Sequence, residues 1–255
     1  MAKKALAVWI LFTAIAASVG AQGLPPAEQY HIRGEYSWWW PKLGTDLQKG
    51  DNGTLINATE DLGATDDRTY IIAATLRAGA SHKLSGTYTK LDYTGDVTQH
   101  STIRYDNQTF FDGTRVVSSL KGAYYGGQYE YDFVKGKEGY VGGLLGARVL
   151  DLDIVLVAPV EARRAQESVS VIRPILGVTA RGYVGSRVSL GGTFGGMTVG
   201  SRGYVLEFEA TAQLHLFERI AIKGGYRSFK VKDQEGTSLL QFRDEGGTLG
   251  LELSL

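Results

Sequence analysis

Charged side chains recur at alternate positions within otherwise apolar or small-residue stretches of this chain. They are Arg33, Glu35, Arg77, Glu130, Asp132, Arg148, Arg173, Arg181, Glu207, Glu209, Lys223, Arg227 and Glu252. A carboxylate concealed without a partner is costly, so each must meet a cation or water. Two chemistries fit such a set: a salt-bridged, hydrated interior, or a lining for conduction or binding of a small solute. Catalysis demands tighter constellations. Beyond the first residues the histidines are His31, His82, His100 and His215. His215 shares a face with Glu209, but residues that far apart along a strand do not touch. Ser81 and His82 are merely adjacent in a turn, and no Ser–His pairing stands out. With no cysteine, thiolate catalysis, Cys-ligated metals and disulfides are excluded. The acids Asp46, Asp51, Glu60, Asp61, Asp66 and Asp67 lack EF-hand spacing and read as solvated loop charge. No catalytic residue, metal or cofactor is expected. Asn52-Gly53-Thr54, Asn57-Ala58-Thr59 and Asn107-Gln108-Thr109 match the glycosylation sequon and agree with exposed loops.

Alternation at period two requires strands to position these charges. Tyr204, Leu206, Phe208, Ala210, Ala212, Leu214 and Leu216 share one face, opposite Val205, Glu207, Glu209, Thr211, Gln213 and His215. Thirteen residues at ~3.3 Å span roughly 43 Å, enough for a tilted strand to cross a bilayer. The pattern recurs at Tyr30 to Trp40, Thr69 to Arg77, His82 to Tyr93, Arg115 to Phe133, Tyr140 to Ile154, Val169 to Tyr183, Arg187 to Met197, Ile220 to Val231 and the C-terminal segment. In the first of these, Tyr30, Ile32, Gly34, Tyr36, Trp38 and Trp40 share the apolar face. Connections after the first, third and fifth strands read as long, about 28, 20 and 14 residues, and most others as short. Within the second long connection, Thr102–Tyr105 and Thr109–Phe111 form a candidate hairpin. Trp38, Trp40, Tyr129, Tyr131 and Phe133 suit an interfacial aromatic girdle better than a sugar platform.

Residues 1–21 have the build of a secretory signal peptide. Lys3 and Lys4 precede the apolar run Ala5–Ala17, and Val19-Gly20-Ala21 predicts cleavage before Gln22. Residues 22–255 then form one domain, with 25 basic and 27 acidic residues, which does not suggest a nucleic-acid partner. Abundant glycine (34), frequent tyrosine (14) and scarce proline (5) suit many strands and tight turns. Mean hydropathy is −0.12, so any bilayer crossing must be made by strands rather than helices.

The C-terminus reads Thr248-Leu249-Gly250-Leu251-Glu252-Leu253-Ser254-Leu255. Thr248, Gly250, Leu253 and Leu255 resemble the C-terminal assembly signal of bacterial outer-membrane β-barrels, with Leu255 where that family prefers an aromatic residue. The resemblance covers residues 22–255. It implies an all-β, transmembrane, antiparallel up-and-down barrel, and the alternating segments counted above make it about ten strands, with eight or twelve as the alternatives. It further implies residence in the outer membrane, with outer-membrane lipid and the barrel-assembly machinery as partners, and a monomer. The expected lumen network comprises Arg33, Glu35, Arg77, Arg173, Arg181, Glu207, Glu209, Lys223, Arg227 and Glu252, with Lys223 and Arg227 as partners for Glu207 and Glu209. The leading function is a structural or interaction role through external loops, over an occluded lumen. A narrow channel or small-solute porin is the alternative. A lipid-modifying enzyme or protease comes third: outer-membrane proteases of the omptin type need Asp and His at the external rim, and Asp151 and Asp153 lack a neighbouring His there.

Overall fold

The computed structural model describes residues 28–65 and 68–255. The expected signal peptide at 1–21 and the loop acids Asp66 and Asp67 lie outside them. The strands are β1 (Ile32–Leu43), β2 (Asp46–Gln48), β3 (Ile56–Asn57), β4 (Thr69–Ala78), β5 (His82–Thr98), β6 (Ile103–Tyr105), β7 (Gln108–Phe110), β8 (Arg115–Gly136), β9 (Gly139–Ala158), β10 (Arg163–Val184), β11 (Val188–Thr198), β12 (Gly203–Phe217), β13 (Ile220–Glu235) and β14 (Ser238–Ser254). Ten of them, β1, β4, β5 and β8 to β14, pair antiparallel in that order. β14 then pairs with β1, from Arg33↔Ser254 to Leu43↔Asp244, and closes the ring. This is a ten-stranded up-and-down barrel. The candidate hairpin is present as β6 and β7, apart from the wall.

Four tight turns and the pairing of the start of β1 with the C-terminal residue define one mouth, the turn end. There His31 N donates to Leu255 O at 2.7 Å. Gly79 and Gly185 take positive φ in two of these turns, which L side chains disfavour. The opposite mouth is the loop end. One connection differs from the reading above. β9 runs on to Ala158 and β10 starts at Arg163, leaving four residues between them rather than about fourteen. The charges at Glu161–Glu167 resembled a loop, but Glu167 is an inward-facing strand residue with polar partners.

The outer face changes character at a definite rung. Tyr36, Ile72, Tyr88, Tyr125, Val149 and Ile172 are successive cross-strand partners and form an outward apolar row. One step toward the loop end, Lys90, Ala123, Asp151 and Ser170 are partners in turn. Beyond that step the outer wall carries the Lys90–Asp92 ion pair (2.9 Å), the Arg115–Asp96 ion pair (2.5 Å), Lys121 and Asp153. An apolar band bounded by aromatics therefore girdles the turn half, and a polar wall of β5, β8, β9 and β10 rises above it.

Inside, two regimes meet at an aromatic layer. Toward the loop end the interior is an apolar core of Leu91, Ile103, Phe110, Val116, Leu120, Ile154 and Leu156. The first long connection folds into this core. β2 continues the β1 edge along β14 (Leu240↔Leu47), and Leu47, Ile56 and Leu62 are fully enclosed. The layer itself comprises Trp39, Tyr93, Tyr124, Phe229 and Phe242. Tyr124 stacks on Phe229 at 4.0 Å between centroids, and Phe229 meets Phe242 at 5.6 Å and Trp39 at 5.8 Å. Each aromatic pair adds about 0.5–1.5 kcal/mol beyond its buried area.

Candidate functional site

The turn half of the lumen holds the charges. Strand parity aims them inward: odd residues on β1, β4, β5, β10, β12 and β13, and even residues on β8, β9 and β14. The facing of β9, ambiguous from sequence, is settled by buried Leu144, Leu150, Leu152 and Ile154.

Three groups form. The largest, at the turn-end mouth, links four cations and four acids. Arg33 bridges Glu28 (3.4 Å) and Glu252 (3.2 Å). Arg77 bridges Glu28 (2.9 Å) and Asp132 (3.1 Å). Lys83 bridges Glu130 (2.6 Å) and Asp132 (3.0 Å). Arg181 bridges Glu28 (3.4 Å) and Glu252 (3.8 Å). The second group is Lys223 between Glu35 (2.8 Å) and Glu209 (2.7 Å). In the third, Arg148 holds Glu207 through two nitrogens at 2.8 and 2.9 Å, and the Tyr124 hydroxyl donates to Glu207 at 2.6 Å. The fork geometry of a guanidinium suits such bidentate binding. A cavity of about 150 Å³ lies among the groups, bordered by Arg33, Glu35, Lys83, Arg148, Glu209 and Lys223. It has room for ordered water beside these charges.

Several positions differ from those read in the sequence. Glu207 is held by Arg148 rather than by Arg227. Arg227 instead reaches the Thr89 hydroxyl at 3.5 Å and lies over the Trp39 ring. Arg173 faces inward but stands apart from the three groups and pairs with Asp233. Tyr30, read as an outward residue, is buried inside the mouth beneath the Arg33 guanidinium, 3.8 Å from its ring centre. Asp151 and Asp153 point outward, where Tyr125 and Ser170 donate to Asp151 at 2.7 and 2.6 Å. Trp38, Trp40, Tyr129, Tyr131 and Phe133 are exposed on the outer wall, as are Leu253 and Leu255. Thr248 and Gly250 face inward. A Cβ on Gly250 would collide with the Tyr36 carbonyl and with Ser37 across the closing seam.

Two features escaped sequence reasoning. Glu28 precedes the first strand, so no alternation marked it. It is fully enclosed, and the Tyr183 hydroxyl donates to it at 2.6 Å. Burial alone would raise its pKa, but attraction by Arg33, Arg181, Lys83 and Arg77 brings it down to about 2. The second is a Ser–His contact. Ser189 Oγ lies 3.0 Å from His215 Nε2 and 3.1 Å from Gln213 Oε1. Residues at paired positions Ser189↔Gln213 and the next inward site on β12 carry the contact, a signal that only strand register reveals. Gln213 donates its amide to Glu252 at 2.9 Å. Its oxygen is thereby left to accept from Ser189, so His215 serves as donor to Ser189 rather than as its base. Ser189 is fully buried. Among the described residues no cluster of His and acidic side chains has the arrangement of a metal site.

No protein-family model matches this sequence, and no curated protein matches it. Solved structures do. The outer membrane protease OmpT from Escherichia coli superposes with a TM-score of 0.57 at 8% identity, covering 88% of this chain and 97% of that one. The translocator domain of the autotransporter NalP from Neisseria meningitidis gives 0.43 at 11% identity, over 100% and 97% of the two chains. Ail, the attachment invasion locus protein of Yersinia pestis, gives 0.38 at 8%, over 87% and 99%. The fold is that of the outer-membrane β-barrels.

Proposed function

We propose that this chain is an integral barrel of the bacterial outer membrane that does not conduct. Its work is structural or interaction-based, through the surface at its loop end. In this reading the signal peptide is removed before Gln22 and the turn end faces the periplasm. Trp38, Trp40, Tyr129, Tyr131 and Phe133 lie at the lipid boundaries. Thr248, Gly250, Leu253 and Leu255 address the barrel-assembly machinery. The luminal ion pairs hold the wall together, as a monomer in outer-membrane lipid.

The observation that carries this reading is the stacked layer of Trp39, Tyr124, Phe229 and Phe242 beneath an apolar core into which the first long connection is folded. An ion entering from the charged half meets aromatic rings and then aliphatic side chains, where an unpaired charge is strongly disfavoured. Barrels of eight strands are filled by side chains, and ten strands lie near that limit. The occupied hydrogen bonds around Ser189 and His215 favour a non-enzymatic role. Planar-bilayer recording of refolded protein tests the reading. No conductance steps are expected, and stepwise ohmic conductance would overturn it in favour of a narrow channel. Turnover of labelled lipid A or of a peptide library by the same preparation would overturn the non-enzymatic part.

A further inference from the structure

We infer that Arg33, Arg77, Arg181 and Tyr183 form a carboxylate-binding site at the turn-end mouth, which Glu28 occupies in cis and which a carboxylate supplied from solution can take in its place. Three guanidiniums and one hydroxyl converge on the Glu28 carboxylate, at 2.9 to 3.4 Å and 2.6 Å. All three arginines are buried, and they stand on three separate wall strands, β1, β4 and β10. The site is therefore preorganised by the barrel rather than by its occupant. Glu28, in contrast, lies before β1 and outside the sheet.

Charge accounting separates this acid from its neighbours. Among the described residues the mouth network sets Arg33, Arg77, Lys83 and Arg181 against Glu130, Asp132 and Glu252 on the wall and Glu28 before it. Removal of Glu28 takes one buried negative charge away from three converging guanidiniums and vacates its place among them. A small anion with two oxygens matches that vacancy in charge and in donor geometry. Tyr30, on the same preceding segment, sits beneath Arg33 and lines the cavity behind the mouth, so displacement of the segment would open both.

Anion rescue tests this. Full-length protein, wild type and the variants Glu28→Ala and Glu28→Gln, is refolded in detergent. Thermal midpoints are read with sodium formate and with sodium chloride at equal ionic strength. Glu28→Ala is expected to melt roughly 5–15 °C below wild type in chloride. Formate should restore most of that loss along a saturable curve. Glu28→Gln fills the space without the charge, so formate should leave its midpoint unchanged, as in wild type. A peptide with a free C-terminus, compared with its amidated form, distinguishes sources. Rescue by the free acid alone assigns the site to polypeptide ends, and rescue by formate alone assigns it to small free acids. The inference is overturned by equal formate shifts in all three proteins, by a Glu28→Ala midpoint equal to wild type, or by a Glu28→Ala protein that refolds with neither anion.

Discussion

Glu28 shows how one side chain can set the pH range of a barrel mouth. It faces Arg33 on β1, Arg77 on β4, Lys83 on β5, Asp132 on β8, Arg181 and Tyr183 on β10, and Glu252 on β14. Its pKa of about 2 lies below the ordinary 4.5 that it regains on unfolding. An acid held below its ordinary value stabilises the folded state in full above pH ~4.5 and loses that contribution as pH falls toward ~2. The shift corresponds to about 3 kcal/mol. Urea unfolding in lipid vesicles at pH 6, 4 and 2.5 should therefore show wild type more stable than Glu28→Gln at pH 6. The difference should shrink modestly at pH 4 and fall to roughly a quarter of its pH 6 value at pH 2.5. A difference independent of pH would locate the effect in packing rather than in charge. No residue-level rule applied to the sequence marks Glu28, because its importance comes from three strands that only closure of the ring brings together.

At the scale of elements, alternation was the legible signal. Most of the ten wall strands could be read from period-two patterning, since a strand with lipid on one side and a lumen on the other must alternate; the facing of β9 could not, because both its faces are largely apolar. The aromatic layer was legible only in part: Trp39, Tyr93, Tyr124, Phe229 and Phe242 all carry inward parity, but that they meet at one height depends on strand register. What could not be read was the height of the wall and the folding of the loops. Glu167 explains both. It sits within β10, accepts from Lys49 at 2.5 Å and from the Tyr105 hydroxyl at 2.6 Å, and so fastens the first long connection and the β6–β7 hairpin to the wall. The hydrogen bond from Lys49 to Glu167 raises the Lys49 pKa, and burial together with the Glu167 contact raises that of Tyr105. Glu167→Ala removes both fastenings and leaves the β9–β10 backbone pairing Glu167↔Ile154 in place. Local opening should then become easier without global unfolding. Trypsin cleavage at exposed Arg104 is expected to accelerate about tenfold or more, while heat-modifiable gel mobility stays that of wild type. Unchanged cleavage would mean that the apolar contacts of Ile103 and Phe110, with the hydrogen bonds of Arg163 to Thr109 and of Thr54 to Arg104, hold the hairpin without Glu167.

For the whole molecule, the inner and outer faces tell one story about position in a membrane. The outer face is apolar where the lumen is charged and polar where the interior is apolar. In the proposed membrane setting lipid covers the outside of the turn half, so the apolar residues point out and ion pairs fill the centre. In that setting water surrounds the wall of the loop half, and there the alternation runs the usual way, with Leu91, Leu120 and Ile154 inside and Lys90, Lys121 and Asp153 outside. The inversion falls one rung beyond the Tyr88–Tyr125 row, which fixes where the outer boundary of the bilayer should lie. Because the chain has no cysteine, single-cysteine variants can map this boundary on intact cells with a membrane-impermeant maleimide. Val160→Cys, at a loop tip, and Asp153→Cys, on the upper wall, should label without permeabilisation. Leu84→Cys, within the apolar band, should resist labelling in both conditions. Ser186→Cys, in a turn at the opposite mouth, should label only once the outer membrane is opened. Labelling of Ser186→Cys on intact cells would reverse the orientation. Protection of Asp153→Cys beside a labelled Val160→Cys would raise the lipid boundary by two or more rungs and place the apolar half of the interior inside the membrane.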